Sequence, residues 1–273
     1  MKEAKDSLGD RMKFYESNGV GEQRLLPMVP AMARLDGKCF HSFTRGLARP
    51  YDQRLSDLMV ETAKFLVSEF NARLSFTQSD EITLVWLADN YESEMCFDGR
   101  ILKLNSILAA KCSVFFNSKL KEVLPEKANS FPVFDCRVWS LPNKTEAVNC
   151  LIFRQNDATR NSISMAAQSQ FSHKQLQNKS CDEMQEMLFQ KGINWNDYPN
   201  FFKRGTFVRR HTVVRPFSTD ELDKLPAKHE ARRNPSLQIE RSEVQVVDWP
   251  QLTKIANREE VVFEGKLLRA LQP

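Results

Sequence analysis

No run of about 18 apolar residues occurs anywhere in the sequence, so no membrane-spanning helix is expected. Residues 1–10 are polar and mixed in charge. They have neither the apolar stretch of a secretory signal nor the acid-poor character of a transit peptide. The expected location is the cytoplasm, with an organelle as the alternative. The 6 cysteines are scattered and none forms a Cys-x-x-Cys pair, which argues against structural zinc and for reduced thiols. Cys39 has no histidine or other base spaced to activate it and is read as a tolerated small residue, not a nucleophile. The 4 histidines include His173, His211 and His229, too dispersed for a zinc site. There is no internal repeat.

What is present is an ordinary globular composition. The 273 residues are 41% hydrophobic, 27% charged and 10% aromatic, enough for a sizeable core. A net charge of +4 permits an anionic partner such as RNA without requiring one.

Hydrophobic period sets the expected elements. Residues 7–16 suit a short helix capped by Ser7. Residues 28–35 are apolar and end at Asp36-Gly37, a buried strand. Residues 37–52 read as a loop. Leu55, Leu58, Met59, Thr62, Leu66, Val67 and Phe70 then fall on one helical face, with Asp52 at the N-cap. Residues 73–77 and 82–87 read as a hairpin with acids at its tip. Residues 100–124 form a second helix, its buried side drawn through Ile101, Leu104, Leu108, Phe115 and Leu120 and ended by Pro125. A strand over 133–141, a helix over 146–170 and a strand over 207–214 follow. This order predicts an α+β fold, an antiparallel sheet with helices on one face. After Pro216 the composition turns charged and poor in apolar residues. The expected division is therefore a catalytic domain over 1–216 and a C-terminal extension of unassigned role over 217–273.

Two acidic positions stand out. Asp36 ends a strand beside Gly37, and Asp80-Glu81 sits on the hairpin turn. Both can meet at one edge of the sheet. Carboxylates gathered there suit Mg²⁺, a hard cation that takes oxygen ligands and brings substrate phosphates. Gly37 allows close backbone approach to a triphosphate, and Lys38 and His41 add positive character. Against this, Asp-Gly is a common turn and Ser-Asp-Glu in a loop is commonly solvated.

The motifs together resemble one family. Arg34-Leu35-Asp36-Gly37-Lys38-Cys39-Phe40-His41 looks like the Arg-x-Asp-Gly-x-x-Phe-His signature of the tRNA-histidine guanylyltransferases. Gln78-Ser79-Asp80-Glu81, Phe134-Asp135-Cys136-Arg137, Arg154-Gln155-Asn156-Asp157 and Lys203-Arg204-Gly205-Thr206 resemble its later landmarks, in order. The resemblance implies a polymerase palm, ferredoxin-like, and addition of nucleotides to an RNA 5′ end activated as a triphosphate or by adenylylation with ATP. It implies that Asp36 and Asp80 bridge two Mg²⁺ ions with help from the Gly37 carbonyl. Glu81 would be a third acid in the catalytic set. Asp36, Gly37, Lys38, Cys39, Phe40, His41, Ser79 and Asp80 would contact the nucleotide, with ATP and GTP or other nucleoside triphosphates as substrates. It also implies a tRNA partner and a homotetramer.

Members that guanylylate histidine tRNA carry His-x-x-Asn after the Arg-Gln-x-Asp motif. Here Thr159 and Ser162 stand in those places. The departure resembles the "-like" branch, which repairs 5′-truncated tRNA against a template. Single-guanosine addition to histidine tRNA is the alternative, and a nucleotidyl cyclase or a non-catalytic RNA-binding protein are more distant ones. Arg100, Lys103, Arg154, Asp157, Asn161, Lys203 and Arg204 are the candidates for RNA or triphosphate contact, each weighed against an ordinary solvated charge. Arg160, Arg209 and Arg210 extend the basic series, but Arg209 and Arg210 must face opposite ways in a strand. Trp86 and Trp139, in strands, are expected in the core.

Overall fold

The computed structural model describes residues 23–271 apart from 89, 94 and 235, together with residues 9, 11, 12 and 15. The helix expected over 7–16 lies largely outside the described residues. In chain order the elements are β1 (Ala31–Gly37), α1 (Phe40–Phe43), α2 (Gln53–Glu69), β2 (Leu74–Gln78), β3 (Glu81–Trp86), α3 (Ile101–Val123), β4 (Phe134–Ser140) and α4 (Lys144–Gln168). They continue as α5 (His173–Leu176), α6 (Cys181–Phe189), α7 (Asn200–Arg204), β5 (Thr206–Pro216), α8 (Thr219–Lys224), β6 (Gln238–Val247) and α9 (Arg258–Glu264).

The strands make one 6-stranded sheet in the order β4-β1-β3-β2-β5-β6, every neighbouring pair antiparallel. Alternation along each strand sorts side chains between two faces. Ala31, Ala33, Leu35, Ile82, Leu84 and Trp86 go to one face, where they pack with α2 and α3. Met32, Leu74, Phe76, Val85 and Phe207 go to the other, beneath α4 and α9. The expectation of helices on a single face is therefore corrected. The central strand β3 is buried along its whole length. A strand apolar on both sides must be covered on both sides.

The caps follow the sequence. The Asp52 carboxylate accepts from the Arg54 N–H at 3.1 Å to start α2, and the Asn143 side chain accepts from the Glu146 N–H at 2.8 Å to start α4. On α3 the fully buried ring is Phe116, not the expected Phe115; Phe115 is half-buried and stacks on Phe65 at 4.2 Å. Trp86 is buried and its indole N–H donates to the Phe70 carbonyl at 2.9 Å. Trp139 is half-buried against the α4 side of the sheet.

The chain beyond residue 216 adds β6 to this sheet, in register with β5 from Phe207↔Val247 to Pro216↔Gln238. It also supplies α9, whose Val261, Val262 and Phe263 are buried in the α4-side core. The C-terminal half of α4 carries a third cluster, with Ile163, Ala166 and Ala167 packed against Leu176, Leu188, Trp195 and Phe202. No described helix is long and apolar enough to cross a membrane.

Candidate active site

β1 runs out at Gly37, and the hairpin between β2 and β3 turns through Ser79 and Asp80, because Gln78 and Glu81 are paired. Ser79 takes the left-handed backbone, φ 49°, that closes so tight a turn. The Gly37 N–H donates to the Asp80 carbonyl at 3.1 Å, which fixes the turn against the end of β1. Gly37 is required here by space: a Cβ at this position would overlap the buried Phe40 ring. The Lys38 N–H donates to the Val133 carbonyl at 2.9 Å, anchoring the other side of the loop. Phe40 then packs between Phe43 and Phe134, at 4.8 and 5.1 Å between ring centroids. The motif's aromatic residue thus pins the loop into the core.

Asp36 and Asp80 are electrostatic neighbours. Burial pushes the Asp80 carboxyl above its ordinary value, the negative charge of Asp36 adds to this, and hydrogen bonds from its own backbone and from Ser79 oppose it. A buried carboxylate whose ionisation is made costlier by a neighbouring one suits a divalent cation, which reverses the repulsion. Among the described residues no group of three or more His, Cys, Asp or Glu side chains is arranged to hold a metal. The donors on offer are thus the neighbouring carboxylates of Asp36 and Asp80. That pattern fits Mg²⁺, which usually takes one or two carboxylates and fills its shell with water and substrate phosphate.

Glu81 has a different setting. It lies opposite Asp36 in the β1–β3 register, so it projects to the same, α4-covered face. Only 9% of its side chain is exposed, and Arg154 from α4 pairs with it at 3.0 Å. Arg34 lies 3.8 Å from Glu81 and 3.9 Å from Asp36, bridging the two acids. Burial raises the Glu81 carboxyl, and Arg154 and Arg34 oppose the rise. Glu81 is therefore held by arginines, and it is not in the wall of the cleft described next.

A cleft of about 500 Å³ opens beside Asp80, and Asp36, like Glu81, lies outside its lining. Gly37, Cys39, Phe40, His41, Ser79 and Asp80 from the expected nucleotide set line it, and Asn161 from α4 joins them. Lys38 is exposed outside that lining. Much of the remaining wall comes from the loop through Ala48 to Asp52, from Leu55 and from Phe201 and Phe202, with Ser162 and Met165 of α4 beside Asn161. Reading the sequence did not mark these. The only local signals were Asp52 as a cap and the position of Phe201-Phe202 just before Lys203-Arg204-Gly205-Thr206.

The other basic candidates do not reach the cleft. Arg154 is committed to Glu81, and Asp157 lies 3.7 Å from Arg154 and 2.9 Å from Arg160. Lys203 is buried, donates to the Asn196 carbonyl and sits over the Trp195 ring. Arg204 follows on α7, part-buried. Arg100 caps α3 and Lys103 lies over the Phe97 ring at 5.1 Å. Cys96, beside that ring, bonds to the Phe70 carbonyl, as does Trp86. This is the end of β3 farthest from Asp80. Arg209 is turned inward, donating to the Val261 carbonyl.

Comparison with known proteins places this arrangement. Residues 9–142 match the family model described as Thg1, tRNAHis guanylyltransferase. The tRNA(His) guanylyltransferase of Saccharomyces cerevisiae is 30% identical over 204 residues, 68% of this chain and 84% of its own. A bacterial tRNA(His) guanylyltransferase (Thg1)-like protein solved with ATP superposes with a TM-score of 0.70 at 39% identity, covering 74% of this chain and 88% of its own. A bacterial Thg1-like protein solved with GTP gives 0.71 at 31% identity, covering 94% and 100%. These matches define a nucleotidyltransferase. The chain belongs to the tRNA(His) guanylyltransferase (Thg1) family.

Proposed function

We propose that this chain adds nucleotides to the 5′ end of tRNA in the 3′-to-5′ direction, on a palm-type sheet, copying a template to repair truncated ends. The observation that carries the reading is that Asp80 lines the cleft with the charge of Asp36 close enough to act on it. Relatives solved with ATP and GTP support nucleoside triphosphates as its substrates.

Asp36, Asp80 and the Gly37 carbonyl would hold Mg²⁺. When bound, the ions stabilise charge developing on the attacking oxygen and the leaving group. The chain's own residues do the rest. The loop through Gly37 to His41 and the Ser79 turn seat the nucleotide. The apolar wall of Leu55, Phe201 and Phe202 shields it from water. Arg34 and Arg154 fix the acids beneath. In the transfer, the nucleotide's 3′-oxygen forms a bond to the 5′ phosphorus, and the bond to pyrophosphate or AMP breaks. The hydroxyl proton is lost to solvent.

The template-copying branch is supported by Ser162. Its hydroxyl donates to the Thr159 carbonyl at 2.8 Å and accepts from the Trp195 indole at 3.1 Å, so it is spent within the protein.

The test is addition of labelled nucleotide to 5′-truncated tRNAs of several identities, with ATP and Mg²⁺. Asp36→Ala and Asp80→Ala should each abolish addition and leave the fold intact. Near-full activity in either would sink the assignment. Addition should follow the opposing base. Extension of histidine tRNA alone, by one guanosine whatever stands opposite, would instead establish the single-guanosine reading. Cyclic nucleotide release without RNA would point to a cyclase. RNA binding indifferent to EDTA, with nothing incorporated, would point to a binding protein.

A further inference from the structure

A second pocket of about 480 Å³ adjoins the cleft and shares two residues with it, Arg49 and Gln168. It is built where α4 ends and the chain turns into α5. Besides the shared pair, Phe171, His173 and Gln177 line it. Its composition is telling. The lining contains no carboxylate, in contrast to the cleft, where Asp52 and Asp80 contribute. It holds one guanidinium, two primary amides and two flat rings. Among the described residues the side chains of Arg49, Gln168, His173 and Gln177 have no hydrogen-bond or ionic partner. Phe171 is half-buried, with the Lys191 ammonium 4.5 Å from its ring centroid.

Each of these groups suits one part of a nucleotide. Rings offer stacking to any base. Primary amides pair with base edges through two hydrogen bonds at once. A free arginine takes phosphate. An acid-free wall avoids repelling a polyanion. The floor of the cleft, by contrast, needs acids for a cation.

We infer that this pocket is a second nucleotide subsite, and that it takes a nucleotide of the RNA strand whose 5′ end lies in the adjoining cleft. The inference rests on the RNA-extending function proposed above. Arg49, common to both pockets, would hold the phosphate between the two nucleotides. A free nucleoside triphosphate has the same chemistry and is the competing source.

Two readouts separate the sources, and neither needs turnover. Binding of a short, fluorescently labelled, 5′-phosphorylated single-stranded RNA is followed by anisotropy. Binding of ATP is followed by calorimetry, which also gives stoichiometry. The variants are His173→Ala, Gln177→Ala and Gln177→Glu, all at exposed positions outside the cleft, with melting curves as a check on folding. The expected result is RNA binding weakened by about tenfold in Gln177→Ala or His173→Ala, the scale of one stacked or edge-paired base. Gln177→Glu should weaken it further, in a salt-dependent way, with ATP affinity and stoichiometry unchanged. If wild type binds two ATP per chain and the variants one, the pocket takes free nucleotide and the RNA assignment is overturned. If neither RNA nor ATP binding moves, there is no subsite. Failure of nucleotide addition by wild type, with RNA binding still sensitive to these variants, would remove the proposed function and leave the subsite.

Discussion

Arg154 reaches from α4 to the first residue of β3 and donates from one nitrogen to both carboxylate oxygens of Glu81, at 3.0 and 3.3 Å. This pair ties the helix layer to the strand that carries the hairpin turn. Both side chains are about nine-tenths covered, so neither has water to fall back on.

Removing one partner strands the other. Arg154→Met should cost roughly 3–5 kcal/mol of unfolding free energy, because a buried carboxylate is left without its main counter-charge. Glu81→Met with Arg154→Met should recover most of that, since a well-packed apolar pair avoids the desolvation. Urea unfolding of the three proteins decides it. A single variant within about 1 kcal/mol of wild type would show that the pair carries little, as for a surface bridge.

Asp52 caps α2 and also accepts from the Ala48 N–H at 3.2 Å, so it shapes the cleft wall as well as the helix. Asp52→Ala should lose about 1–2 kcal/mol. Its carboxyl is held below the ordinary value of 3.8, first by the Arg54 side chain. A depressed folded pKa means the stabilisation is complete above the unfolded value and is lost as pH falls through the folded one. Denaturation midpoints of wild type and variant should thus converge on acidification below about pH 4. A gap that widens in acid would refute the capping argument.

Gly37→Ala and Gly205→Ala make an instructive pair. The first forces a methyl into the Phe40 ring. The second places one 2.8 Å from the Thr77 carbonyl, at a residue with φ 74°. Both should lower the melting temperature, each costing roughly 1–3 kcal/mol through overpacking or strain. Only Gly37→Ala should also impair ATP and GTP binding, because only Gly37 lines the cleft. Equal effects on nucleotide binding would mean that the loss is general.

The thiols offer a chemical probe of the cleft. Cys39 is exposed and lines it, whereas Cys112 is buried and Cys136 is pushed up to about 12 by burial. At pH 8, iodoacetamide should modify Cys39 well before Cys112 or Cys136, as read by peptide mass spectrometry. Added ATP should protect Cys39. Modification unaffected by saturating nucleotide would argue against its seat on that loop.

Much of this was readable in one dimension. The face through Leu58, Met59, Leu66 and Val67, the cap at Asp52 and the turn at Ser79-Asp80 are local consequences of period and side-chain chemistry, and each stands where expected. The acids at Asp36 and Asp80 were visible because each ends or begins an apolar strand. Phe115 was mistaken for Phe116 because adjacent aromatic residues on a helix differ by only about 100° in direction, and packing against Phe40 and Phe134 chose between them.

The sequence by itself determined which segments are helix or strand and which acids lie beside turns, because those depend on neighbours a few residues away. Tertiary structure decided what each charge does. Arg154, Lys203 and Arg209 read as RNA ligands in a string of letters, but folding turned them to Glu81, Asn196 and Val261. It also joined residues 48–52 to Phe201 and Phe202 in one wall. Burial and partnership are long-range quantities: a strand's alternation fixes the face a side chain takes, and only the layers packed on that face decide whether it meets solvent, substrate or another charge.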